Sequence, residues 1–76
     1  MDISNIQAHM EVVGSDGKHV GTVDHLDGGN KIKLAKNDIA AGGEHHWIAT
    51  YEVDRVTDKV YLRSPANEAP LATSAN

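Results

Sequence analysis

From Met10 onward, short runs of apolar and β-branched residues alternate with clusters of Asp, Gly, Asn and Lys. MEVV is followed by SDGK, then HVGTVDHL, then DGGN, then KIKLAK. Asp-Gly and Gly-Asn pairs between such runs signal hairpins, because glycine supplies the positive φ that tight turns need. The pattern predicts three strands joined by two tight turns. In KIKLAK, Ile32 and Leu34 alternate with Lys31 and Lys33, which gives one core face and one wet face. The second strand is less regular. Val20, Val23 and Leu26 are spaced three apart, so strict two-residue alternation cannot bury them all. A bulge near Gly21 is expected to return the later residues to the inner face.

NDIAAGGE, residues 37–44, reads as a longer connection in which Asp38 caps one helical turn. HHWIATYEV resumes extended structure, and TDK at 57–59 turns the chain into KVYLR. There Val60 and Leu62 are expected to face in, with Tyr61 and Arg63 facing out. Before the strands, Ile3, Ile6 and Met10 recur at helical spacing with Asp2 or Ser4 as caps, which predicts a short helix over 2–10 lying across one end of the sheet. After residue 63 the composition collapses to Ser, Pro, Ala, Asn and Thr, so 64–76 is expected to be a loose tail beside a single domain at 1–63. Five to six short strands are too few for a sandwich. The expected fold is mainly β: a small, twisted antiparallel barrel, because closure removes exposed edges.

Composition narrows the function classes. A chain of 76 residues makes one domain and buries only about 60% of the surface its unfolded form exposes, so its core is marginal. There is no cysteine, which removes disulfides, thiolate zinc sites, iron–sulfur clusters and cysteine nucleophiles. A net charge of −4 offers no broad attraction for nucleic acid or anionic lipid. MDISNIQAHM carries neither the basic nor the apolar part of a secretory signal, and no stretch approaches the roughly 20 apolar residues of a membrane span. A soluble, cytoplasmic protein without membrane insertion is the resulting expectation.

The densest chemistry lies in GGEHHWIAT, residues 42–50. On an extended chain His45 and His46 point to opposite faces and cannot share one ion without a kink. His19 and His25 lie about 20 Å apart on an unbulged strand at ~3.3 Å per residue. A metal site would therefore be assembled across strands, for example from one of His45 and His46 together with His25 and Asp24 or Asp38. The competing reading has one histidine of the pair packed inward on a backbone partner and the other solvated. Asp24-His25 resembles a catalytic pair, but strand neighbours face opposite ways. No nucleophile elbow, phosphate loop or dinucleotide fingerprint appears, so neither an enzyme nor a cofactor is expected. Lys31, Lys33 and Lys36 form a stripe that reads either as a weak nucleic-acid contact or as a solvated strand face. Trp47 either closes the core or anchors a partner, with the core role favoured in a chain that has no phenylalanine. Full protonation of the five histidines would carry the formal charge from −4 to +1, so association could vary with pH.

GSDGKHVGTVDHLDGGNKIKL and HHWIATYEVDRVTDKVYL, taken in order, resemble the PRC-barrel pattern. The helical start, the SDG turn, the KND connection and the GG-x-HH-aromatic-Ile stretch are similar to a group of small, free-standing bacterial proteins of that type, grouped as a domain of unknown function. The resemblance covers roughly residues 3–63. IATYEV departs from it, standing where such proteins read more like IPL-x-x-V, and the missing proline frees one backbone donor at that edge. PRC barrels occur in the cytoplasmic part of reaction-centre H subunits and in a ribosome-maturation factor, as docking or electrostatic modules without catalytic residues. The resemblance therefore implies a non-catalytic binding or adaptor domain, docking a macromolecular partner or forming a homodimer. Trp47, Tyr61, Lys31 and Lys33 are the candidate contacts. A histidine/carboxylate metal binder and a weak nucleic-acid binder are the alternatives.

Overall fold

The glycine turns and β-branched runs fold as six strands. The computed structural model of the protein describes residues 5–73. Within it β1 spans Glu11–Val13, β2 His19–Asp27, β3 Lys31–Leu34, β4 His46–Ala49, β5 Val53–Val56 and β6 Val60–Leu62. Gly28 and Gly29 both have positive φ, at 71° and 80°, which lets the chain reverse between β2 and β3 without side-chain strain.

The strands form one sheet in the order β4-β3-β2-β1-β6-β5. This corrects two expectations. The sheet is mixed, because β1 and β6 run parallel, with Val12 opposite Val60 and Val13 opposite Tyr61. It is also open: β4 and β5 are its two edges and do not pair, so no barrel closes. The reason lies in the connection. A single 3₁₀ turn, Thr50–Glu52, carries the chain from β4 to β5 at the far edge. The 57–59 turn then reverses β6 against β5, which is the direction of β1.

An open sheet with no α-helix among the described residues must cover its own apolar face by bending. Nine-residue β2 supplies the bend. Between its pairings Val12–Gly21 and Val13–His19 one extra residue, Val20, is accommodated, and between Val23–Leu34 and His25–Lys33 another, Asp24. The first is the bulge expected beside Gly21. The second was not anticipated. Each strengthens the local twist and turns the β3–β4 half against the β1–β6–β5 half. All six strands then feed one cluster in which Val12, Ile32, Val53 and Val60 are wholly buried. Val20 and Val23 join it, and Leu26 packs against it.

Part of the helix expected at 2–10 falls on residues outside those described. Residues 5–10 hold no α-helix. His9 takes a positive φ of 74°, its N–H donates to the Val23 carbonyl at 2.8 Å, and the Val23 N–H donates to the Met10 carbonyl at 2.9 Å. Pairing with β2 outcompetes a helix whose stripe has only Ile6 and Met10 to bury here. Within the span expected to be a tail, residues 64–73 make contacts with the sheet. The Ser15 N–H donates to the Ser64 carbonyl at 2.9 Å, 66–68 form a 3₁₀ turn, and Ala72 bridges to Trp47 on the outer edge of β4.

Candidate functional site

Because Ile32 and Leu34 fill the core, the alternate positions of β3 define the outer face of the β2–β3–β4 half. Register places His25 opposite Lys33 and Lys33 opposite Trp47 on that face, with Asp27 opposite Lys31 in the next row. Trp47 is half-buried and does not plug the core, since Ile48 is the residue of β4 that faces inward. Instead its indole N–H donates to Asp27 Oδ2 at 3.1 Å across β3. Lys33 Nζ sits 5.6 Å from its ring centroid, and the His45 ring lies 6.3 Å away at a tilt of 51°. Ammonium, carboxylate and imidazole thus hold one large aromatic in a fixed pose on the surface.

Lys31, Lys33 and Trp47 of the sequence-derived contact set are brought together. Tyr61 is not. It lies on β6 in the other half of the sheet, where the Arg55 guanidinium stacks 4.1 Å from its ring centroid.

The histidines of the candidate metal set are separately engaged. The bulge at Asp24 turns its carboxylate onto His25 Nδ1 at 2.7 Å, so these neighbours do meet, contrary to the regular-strand expectation. His45 Nδ1 donates to the Leu34 carbonyl at 2.9 Å and His46 Nε2 to the Ala41 carbonyl at 3.0 Å. Both rings are half-buried, whereas one was expected to be solvated. Each donated ring proton blocks that nitrogen as a ligand. Among the described residues no three His, Cys, Asp or Glu side chains are placed to hold an ion together.

The most tightly connected polar group was not foreseen. His19, at the start of β2, directs Nδ1 at Glu11 Oε2 of β1 at 2.9 Å. Its Nε2 faces the Asp38 carboxylate at 2.8 and 3.0 Å. Asp38 also accepts from the Thr22 hydroxyl at 2.6 Å and from the Ala40 N–H at 2.9 Å, capping the 3₁₀ turn Ile39–Ala41 as its sequence suggests. Lys59 Nζ reaches Glu11 Oε1 at 3.4 Å. The hydrogen bond that His19 donates to Glu11, and then those it donates to Asp38, raise its pKa above the ordinary imidazole value. The bond to His19 lowers Glu11, and the Thr22 hydroxyl chiefly lowers Asp38. To bond both carboxylates at once the imidazole must carry both of its protons. Asp38 was legible as a cap. Its partner 19 residues earlier was not, because a β2-to-loop contact leaves no periodic trace.

The chain belongs to the bacterial family described as "Uncharacterized protein conserved in bacteria (DUF2171)", whose profile matches residues 6–70. A search of curated proteins finds no match. No helix among the described residues is long and apolar enough to cross a membrane.

Proposed function

We propose that the protein is a non-catalytic, cytoplasmic docking module of PRC-barrel-like kinship that binds a protein partner through the outer face of β2–β3–β4. The observation that carries this reading is the row His25–Lys33–Trp47, which holds the chain's only tryptophan braced on the surface opposite a wholly apolar core face. Tryptophan is enriched in binding hot spots, and a pre-braced ring loses little freedom on association. Charge favours protein over nucleic acid. Asp27 lies opposite Lys31, and Asp24 bonds to His25, the residue opposite Lys33, so a phosphate backbone would meet carboxylates near these lysines. Kinship to PRC barrels draws support from the ordered glycine turns and the bent β2, while the open sheet sets this fold apart.

The test compares capture from a bacterial lysate and sedimentation over a wide concentration range for the wild type, Trp47→Ala and Tyr61→Ala. A hot-spot loss of about 2 kcal/mol weakens binding roughly thirtyfold. Trp47→Ala is expected to lose the partner, or the dimer if the partner is a second copy, while Tyr61→Ala keeps it. Equal behaviour of the two variants overturns the assignment to this face.

A further inference from the structure

We propose that His19 is a protonation-controlled latch that tightens the β3–β4 connection against the β1–β2 hairpin, closed while its imidazole carries both protons and loosened when it loses one. The geometry is specific. One ring joins Glu11 on β1 at 2.9 Å to Asp38 in the connection at 2.8 Å, and the ring itself belongs to β2. A neutral imidazole has a single N–H. Loss of the second proton therefore leaves one carboxylate facing a nitrogen lone pair, and a charge-assisted contact becomes a repulsive one.

The two sides are unequal once that happens. Asp38 keeps the Thr22 hydroxyl at 2.6 Å and the Ala40 N–H at 2.9 Å, and Glu11 keeps Lys59 at 3.4 Å. These are the charged and polar groups that reach the triad from β1, β2, the connection and the β5–β6 turn. The Thr22 bond still ties Asp38 to β2, so loss of the ring proton removes one of two side-chain links between the hairpin and the connection, and the only one that continues through the ring to β1. The connection is also held by the Thr22 hydroxyl on Asp38, by the Ala35 N–H on the Thr22 carbonyl at 2.8 Å, by buried Ala41 and by the His46 bond to the Ala41 carbonyl. Opening is thus confined to the segment around the Ile39–Ala41 turn, which leads into β4 and Trp47.

The direction with pH follows from the signs. His19 is raised above 6.5, so its contribution is complete below that value and disappears as pH climbs through the raised pKa. Glu11 and Asp38 are lowered from 4.5 and 3.8, so theirs is complete above those values and disappears as pH falls through the lowered ones. The latch is closed from mildly acidic conditions up to the His19 midpoint and opens above it.

The full chain tests this by NMR, following the His19 ring carbon and proton shifts together with amide exchange corrected for its intrinsic pH dependence. The His19 midpoint is expected above 6.5. Protection at Ala40, Ala41 and Gly42 should fall roughly three- to tenfold through that midpoint, the range for one partly exposed charge-assisted bond, while Val23 and Ile32 stay protected. Glu11→Gln should lower the midpoint. His19→Arg, with a permanent charge and five N–H donors, should remove the pH dependence of the protection. A His19 midpoint at or below 6.5, or protection of 40–42 that is flat through it, overturns the latch. Both readouts come from the wild type, so the outcome does not depend on any variant folding.

Discussion

Ile32→Ala tests whether the two halves of the bent sheet share one core. Ile32 has no exposed surface and lies between Leu26 and Ile48 in the register of β2–β3–β4. Truncation removes three side-chain carbons, worth ~2.4 kcal/mol at ~0.8 kcal/mol each, and the residual cavity raises the cost to about 3–4 kcal/mol. A chain of this length has a total stability of only ~4–11 kcal/mol at ~0.05–0.15 kcal/mol per residue. One substitution in β3 should therefore remove about a quarter of it or more. With a urea slope of about 1 kcal/mol per M for a domain this small, the midpoint drops by roughly 3 M. Urea titrations followed by circular dichroism and by Trp47 emission measure it, with Ile32→Val expected near 1 kcal/mol. Lys33→Ala, the neighbour on the outer face, should stay within about 0.5 kcal/mol. If Ile32→Ala cost no more than Lys33→Ala, the apolar face of β3 would not be covered by the other half, and the argument for a self-covering sheet would fail.

A methyl group at Gly14 would collide with the Ala66 backbone nitrogen and meet the Pro65 carbonyl carbon at 2.8 Å, so Gly14→Ala must displace residues 64–68 and their bond to Ser15. Lost hydrogen bonds and forced backbone movement predict about 2–3 kcal/mol and a melting temperature roughly 10–20 °C lower. Gly21→Ala meets only the Leu34 Cδ1 methyl, at 3.1 Å, and should cost clearly less in the same melts. Acid titration of the wild type should show stability falling as pH drops through the lowered pKa values of Glu11 and Asp38, both of which are charged and bonded in the folded state. Thr22→Val removes the strongest bond to Asp38 and should move that limb to higher pH; an unmoved limb would exclude Asp38 as its source.

The strands were legible because their information is local. Lys31 to Leu34 alternate over four residues, and the Asp-Gly and Gly-Asn pairs need only their own φ angles. Even the bulge beside Gly21 could be read, from three apolar residues at the wrong spacing for a flat strand. What failed was non-local. Whether six strands close depends on where the chain re-enters the sheet after Thr50–Glu52, and a three-residue turn carries no sign of that. Trp47 was favoured for the core on composition, although the simple alternation His46-Trp47-Ile48 allows only one of Trp47 and Ile48 to face inward. The Asp24 bulge likewise undid the parity argument that separated Asp24 from His25. The His19 triad combines β1, β2 and a loop, and only the hairpin half, Glu11 with His19 on adjacent strands, could have been paired from the SDG turn.

An open sheet must manage two edges, and this one manages them differently. On β5, Asp54 and Arg55 are exposed and a register shift falls between Val53 and Arg55, so the edge is charged and bulged and discourages strand addition. β4 has no Lys, Arg, Asp or Glu. Its outward N–H and C=O at Trp47 are taken instead by Ala72, at 2.7 and 2.8 Å. Antiparallel alternation points the same groups of Ala49 outward, and the register would set Pro70 opposite them. Proline has no N–H, and the Leu71 N–H folds back onto the Ala69 carbonyl at 2.9 Å, so the ladder stops after one residue. The cover protects the edge exactly where the tryptophan backbone would otherwise recruit a strand, yet it leaves the indole on the adjoining face. Under the docking role proposed above, a partner would engage Trp47, Lys33 and His25 from above the sheet without displacing residues 69–73. Face docking, not strand addition, is the mode that this arrangement of edges favours.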